Sequence, residues 1–182
     1  MGSRRTNPTL IVVTGPTAVG KTAISLHLAK HLGVPIINAD SRQIYSEIPI
    51  GTAAPTSAQQ HEVPHYFVGT LHLSDYYSAS AYEQDVLNLI TGQPYSAFRL
   101  NQRKSRPFEV LKIGLNIERP ELYSRINSRV DDMISSGFIE EALAVYPYRD
   151  CNSLATVGYR ELFEYLDGLC TLENAVERIK SS

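Results

Sequence analysis

The sequence predicts an α/β fold: a parallel sheet flanked by helices, giving way to a mainly helical C-terminal part. Three observations carry this. Residues Gly15-Pro-Thr-Ala-Val-Gly-Lys-Thr22 have the spacing G-x-x-x-x-G-K-[ST] and stand between an apolar run, Leu10–Thr14, and a helical pattern. A second apolar run completes strand, helix and strand within about thirty residues, the mark of a βαβ unit with parallel strands. From residue 120 onward, apolar residues recur at helical spacing.

The first strand, Leu10–Thr14, feeds the glycine-containing loop, whose backbone N–H groups can close around phosphate oxygens. Lys21 reaches further oxygens, and the Thr22 hydroxyl is the expected Mg²⁺ ligand. This makes the core P-loop NTPase-like. The helix after the loop is expected over Lys21–Leu32, with Ile24, Leu28 and Leu32 as its apolar stripe and Gly33 and Pro35 as its stop. Val34–Ala39 reads as the second strand, parallel to the first, and leads into Asp40. Ser46–Leu73 is rich in Pro, Gly, Thr and Ser and reads as loops, with a short helix near Ser57–His61 and a short strand at Tyr66–Val68. Ser80-x-x-Glu83 resembles a capping box ahead of the stripe Tyr82, Val86, Leu87 and Ile90.

Thr91–Pro107 is polar and basic, and Val110–Ile117 is the third strand. Pro120 and Glu121 start a long helix to Ser136 with core face Leu122, Ile126, Val130 and Met133, and Gly137 is its expected C-cap. Helices follow at Ile139–Tyr146, Tyr159–Leu166 and Leu172–Ile179. Three strands fall short of the about four or five that bury both faces of such a sheet. The helix ending near Ile90 should run into another apolar strand and meets Gly92-Gln93-Pro94 instead. The expected organisation is one core domain over 1–182, with a helical part at 120–182 and a segment missing near 90–92. Either that segment is deleted, or the sequence joins two stretches of a longer chain.

The chain has 182 residues, 43% hydrophobic and 20% charged, enough for one domain with a real core. Its net charge of −2 and pI near 6.2 give no global basic field, so RNA binding would need local patches. Cys151 and Cys170 have no metal spacing and form no disulfide framework. There is no run of 18 apolar residues, and Met1–Pro8 is too short and polar for a signal peptide. The expectation is a cytoplasmic enzyme with no membrane association.

Asp40 falls at the carboxyl end of the second strand, the edge where open α/β sheets bind ligands. It is open to two readings: a general base or water-mediated Mg²⁺ ligand, or a turn or N-cap aspartate. Arg125 and Arg129 are four apart on one helix face. They read either as surface arginines paired with Glu121 or Asp132, or as a clamp on a phosphate opposite the loop. Arg99, Arg103, Lys104 and Arg106, with Phe98 and Phe108 nearby, form either a nucleic-acid track or a charged connector. His27 and His31 lack a third ligand and read as helix surface.

Several pieces then occur in one order: the loop itself, Asn38-Ala-Asp-Ser-Arg-Gln-Ile-Tyr45, Ile50-Gly-Thr-Ala-Ala-Pro-Thr56, Pro64-His-Tyr66, Tyr123-Ser-Arg-Ile-Asn-Ser-Arg-Val-Asp131 with Ser136-Gly137, and Thr156-Val-Gly-Tyr-Arg-Glu161. The set resembles the tRNA dimethylallyltransferase (tRNA isopentenyltransferase) family over nearly the whole chain. The resemblance implies transfer of a dimethylallyl group from dimethylallyl diphosphate to N6 of adenosine 37 in tRNA, with Mg²⁺, by a monomer. It implies that Gly15, Thr17, Ala18, Val19, Gly20, Lys21 and Thr22 hold the diphosphate. Asp40 would take the N6 proton, Ser41, Arg42 and Gln43 would line the adenosine site with it, and Arg129 would bind the diphosphate, Arg125 being the second choice.

The chain departs from the family pattern in three places. A Thr-Gly-Gly-[ST]-x-Leu-Tyr strand end, a helical insertion gripping the anticodon stem and an Asp-Pro…Arg-rich element have no counterpart near residues 90–92. The family's basic C-terminal end also has none, and Ala54 stands where the family usually has Lys. Two rival functions predict different ligands: a small-molecule kinase with ATP in the same nucleotide-binding loop, and a non-catalytic RNA-binding remnant.

Overall fold

The structure is a computed structural model that describes residues 8–92 and 108–182. In chain order its elements are β1 (Thr9–Thr14), α1 (Lys21–Leu32), β2 (Ile36–Ile37), α2 (Ser57–Glu62), β3 (His65–Tyr66), α3 (Ala79–Thr91), β4 (Glu109–Gly114), α4 (Arg119–Ser135), α5 (Phe138–Val145), α6 (Tyr159–Leu166) and α7 (Leu172–Lys180). Short 3₁₀ turns lie at Tyr146–Tyr148 and Asn152–Leu154. The fold is α/β with parallel pairing throughout. It divides into two units, Met1–Thr14 with Tyr76–Leu115 and Gly15–Asp75 with Asn116–Ser182.

In the first unit β1 pairs with β4 in register, from Thr9 opposite Glu109 to Thr14 opposite Gly114. Parallel strands are usually covered on both faces. Here Val110 and Leu111 of β4 remain 44% and 53% exposed, and α3 has no fully buried residue. The α3 cap is Ser78, whose hydroxyl accepts the Ala81 N–H at 3.1 Å, rather than the expected Ser80. The helix therefore begins two residues earlier than expected, with Ala79 and Ser80 already helical behind that cap. The basic residues Arg99, Arg103, Lys104 and Arg106 lie outside the described residues, as do Phe98 and the junction that follows Gly92.

In the second unit β2 pairs with β3, and the parallel contact resumes at Tyr45 opposite Leu71. Among the described residues β1 and β2 take different partners, each in parallel pairing, since a crossover helix need not join neighbouring strands. β2 is also shorter than the apolar run that predicted it. Pro35 has no N–H to add to the ladder, and beyond Ile37 the chain turns into the Asn38–Asp40 hydrogen bonds.

The α1 boundaries agree with the periodicity, but its buried face does not. Leu26 and Ala29 are buried against Val63 and Ile36, whereas Ile24 and Leu32 are largely exposed. α4 starts with Pro120 in its first turn, where the missing N–H costs nothing, and buries Val130. Its C-cap is Ser136, and Gly137, at φ +98°, is the residue that opens α5. Ile48, Leu73, Phe138, Leu154, Tyr159 and Leu162 form the centre of this unit's core, packed by α4–α7. Cys151 and Cys170 are free thiols.

Candidate active site

The phosphate loop joins β1 to α1. Ala18 at φ +63° and Gly20 at φ +104° turn the backbone left-handed within three residues, while Val19 between them is buried and anchors the loop. Left-handed geometry at a non-glycine residue is a local strain of the kind that gathers at functional sites, and here it falls directly before the start of α1. Lys21, the first residue of α1, folds back so that Nζ donates to the carbonyls of Gly15 at 2.9 Å and Pro16 at 2.8 Å. Burial and the neighbouring Arg129 charge hold the Lys21 ammonium below the usual lysine range, and the Asp40 charge opposes them. Thr17 and Thr22 are exposed.

The structure gives Asp40 the turn role that one of its two sequence readings assigned to it. Its Oδ1 accepts the backbone N–H groups of Arg42 at 2.8 Å and Gln43 at 3.3 Å, closing a turn through Ser41. Oδ2 makes no hydrogen bond among the described residues, so one oxygen fixes the carboxylate and the other is left to accept. Arg125 and Arg129 are separated by the structure. Arg125 is exposed and ion-paired to Glu121 at 2.7 Å, although its guanidinium lies beside Gly20. Arg129 is half-buried and makes no hydrogen bond or ion pair among the described residues. Burial holds its pKa below the usual arginine range, offset in part by Asp40. Lys21, Asp40 and Arg129 thus sense one another's charge within one unit.

Arg129 also lines a cavity of about 680 Å³ with Gln43, Tyr45, Ile50, Ala53 and Met133, a volume typical of ligand sites. Ala54 borders it as well. Two buried residues that the sequence reading gave no role support its wall: Glu141 of α5 and Tyr159 of α6. The sequence signal for Glu141 was slight, a carboxylate at a position that helical spacing assigns to the apolar face. His27 and His31 are exposed on α1, as expected.

Loop, carboxylate and arginine, carried on a parallel α/β scaffold, define a phosphate-loop protein with an adjoining ligand cavity. The family model described as IPP transferase matches residues 43–91 and 86–182, and the chain belongs to that family. It is 39% identical to tRNA dimethylallyltransferase 2 of Parabacteroides distasonis, an alignment over 256 residues that covers 94% of this chain and 86% of the relative. Among solved structures it is similar to the full-length tRNA isopentenylpyrophosphate transferase of Bacillus halodurans, with a TM-score of 0.84, 28% identity, and 97% of this chain and 82% of that one covered. It shares its fold, at a TM-score of 0.76 and 20% identity, with a eukaryotic dimethylallyltransferase acting on tRNA, covering 96% of this chain and 66% of that one. No helix among the described residues is long and apolar enough to cross a membrane.

Proposed function

We propose that this chain transfers a dimethylallyl group from dimethylallyl diphosphate to N6 of adenosine 37 in tRNA, acting as a monomer in the cytoplasm. The observation that carries the reading is Arg129, a half-buried cation without a hydrogen-bonding partner among the described residues, sharing its field with Lys21 and Asp40. Such a cation calls for an anion, and the phosphate loop faces the same need. Diphosphate departs readily only when its growing charge is met by preorganised donors. Lys21, Arg129 and the N–H groups from Gly15 and Thr17 through Ala18, Val19 and Gly20 to Thr22 supply them.

In this reading Lys21 exchanges its two loop carbonyls for phosphate oxygens. As the allylic carbon parts from oxygen, the N6 amine attacks it and gives up a proton to Asp40, which its turn holds ready. Ser41, Arg42 and Gln43 border the base, which must leave its stack to reach them.

Mg²⁺ fits Thr22, which is exposed in the first turn of α1 with a hydroxyl unengaged among the described residues. An ion there would be held by that hydroxyl, phosphate oxygens and water. Bound there, Mg²⁺ would neutralise charge on the leaving diphosphate.

We also propose that a strand and a helical tRNA-binding insertion belong near residues 90–92 of the core domain 1–182. Three findings support this. The family model matches in two pieces that meet at residues 86–91. The alignment with the Parabacteroides relative spans 256 residues against the 182 of this chain. The β1–β4 pair leaves Val110 and Leu111 exposed.

Calorimetric titration tests the loop's guest. Dimethylallyl diphosphate should bind with Mg²⁺, and Arg129→Ala should weaken it by about 10- to 100-fold, the loss of a charge-assisted contact. Tight ATP binding with no affinity for dimethylallyl diphosphate would sink the reading in favour of a kinase.

A further inference from the structure

We infer that Glu141 and Tyr159 are positioning residues that lock the Gln43 side chain as a hydrogen-bond acceptor, giving the cavity a preference for a base edge that carries an amine. The clause about the base rests on the proposed reading of the cavity; the locking does not. Glu141 lies on the buried side of α5, and its carboxylate accepts three donors: the N–H groups of Ile50 and Gly51, each at 2.7 Å, and the Tyr159 hydroxyl at 2.5 Å. Burial first, and then the Glu141 hydrogen bond and charge, push the Tyr159 phenol far above the usual tyrosine range, so it stays a donor. Gly51 permits the arrangement because a Cβ there would penetrate Phe138 and Tyr159.

The clamp holds the start of a tight turn whose end reaches the cavity. Ala53 N–H returns to the Ile50 carbonyl and Ala54 N–H to that of Pro49, both at 2.9 Å, and Thr52 Oγ1 donates to the Ile48 carbonyl at 2.6 Å. Ala53 is itself left-handed at φ +46°. The turn presents the Thr52 and Ala53 carbonyls to Gln43 Nε2 at 3.0 and 3.3 Å. Carbonyls only accept, so the amide must show them its NH₂ and leave Oε1 on its other side. No donor among the described residues reaches Oε1, and it is not a buried orphan.

Gln43 therefore offers the cavity a fixed acceptor. Its complement is an N–H donor such as an exocyclic amine, which has two hydrogens, one for Asp40 and one for Gln43. The turn's own hydrogen bonds leave the Ile50 and Gly51 N–H groups without acceptors, and the buried carboxylate supplies them.

The test uses Glu141→Gln and the milder Tyr159→Phe, checked for folding by thermal melting. Solvent exchange of the Gln43 side-chain amide protons is read by NMR. Binding of two anticodon stem-loop RNAs, differing only by adenine or amine-free purine at the target base, is read by anisotropy. Exchange should speed up about tenfold or more in both variants, and the adenine-over-purine ratio should fall by about tenfold, the scale of one hydrogen bond. Affinity for dimethylallyl diphosphate should be unchanged, and Glu141→Gln should add nothing to the ratio in a Gln43→Ala background. Unchanged amide exchange in both variants would overturn the inference, as would a ratio that survives Glu141→Gln. If neither RNA binds wild type, the base-site reading fails, and the exchange data alone still decide whether Glu141 and Tyr159 position Gln43.

Discussion

Lys21 is parked on the carbonyls of its own loop, and its pKa records the cost: burial and Arg129 both disfavour the ammonium. A bound diphosphate reverses that balance by bringing negative charge to the same place. The free protein therefore loses the Lys21 charge at lower pH than the complex does. Affinity for dimethylallyl diphosphate should fall as pH rises through the depressed Lys21 pKa, with net proton uptake on binding in that range. Titrations in buffers of differing ionisation enthalpy measure this, and Lys21→Met should bind weakly and without the uptake. Lys21 was legible in the sequence because its spacing from two glycines has a mechanical meaning. Arg129 and Arg125 were not separable by spacing, since both lie on one helix face. The family resemblance favoured Arg129, and in the structure burial and the Glu121 pair distinguish the two. For Asp40 the turn reading was legible, because its Oδ1 accepts the N–H groups two and three residues on, while Oδ2 makes no hydrogen bond among the described residues.

At the scale of elements, the helices were read well and the strands less so. Amphipathic runs such as Leu122, Ile126, Val130 and Met133 carry their own period, and α4 to α7 lie within about a residue or two of the expected bounds. β2 and β3 are two residues each, and their pairing depends on distant chain that no local pattern encodes. The α1 face was misread because Ile24, Leu28 and Leu32 are regular in spacing, while burial is decided by what packs from outside, Val63 and Ile36. The turn at 48–56 was visible only as loop-forming composition. Its rigidity comes from α5 and α6, nearly a hundred residues later, through Glu141. That dependence makes Gly51 a sensitive position. Gly51→Ala should destabilise the fold by about 2–4 kcal/mol, because Phe138 and Tyr159 fill the space and are themselves fully buried. A shift in urea midpoint measures this; a midpoint within error of wild type would mean that the turn can move away from the core.

At the scale of the molecule, parallel strand pairs and a phosphate loop place the chain in its class, and the ordered motifs place it in its family. The proposed missing strand rests on a sequence argument: each helix of such a fold should deliver its chain to another strand, and the one ending at Thr91 meets Gly92 and Pro94 instead. The exposed Val110 and Leu111 support that proposal. On the proposed function, Asp40 receives the proton that adenine N6 loses as it is prenylated. The most direct measurement is nucleoside mass spectrometry of tRNA incubated with this protein, Mg²⁺ and dimethylallyl diphosphate, comparing wild type with Asp40→Asn. Wild type should place a dimethylallyl group on N6 of adenosine 37, and the variant should do so at a rate about 10²- to 10⁴-fold lower with diphosphate affinity kept. Modification at the wild-type rate by Asp40→Asn, or none by wild type, would contradict the proposed function.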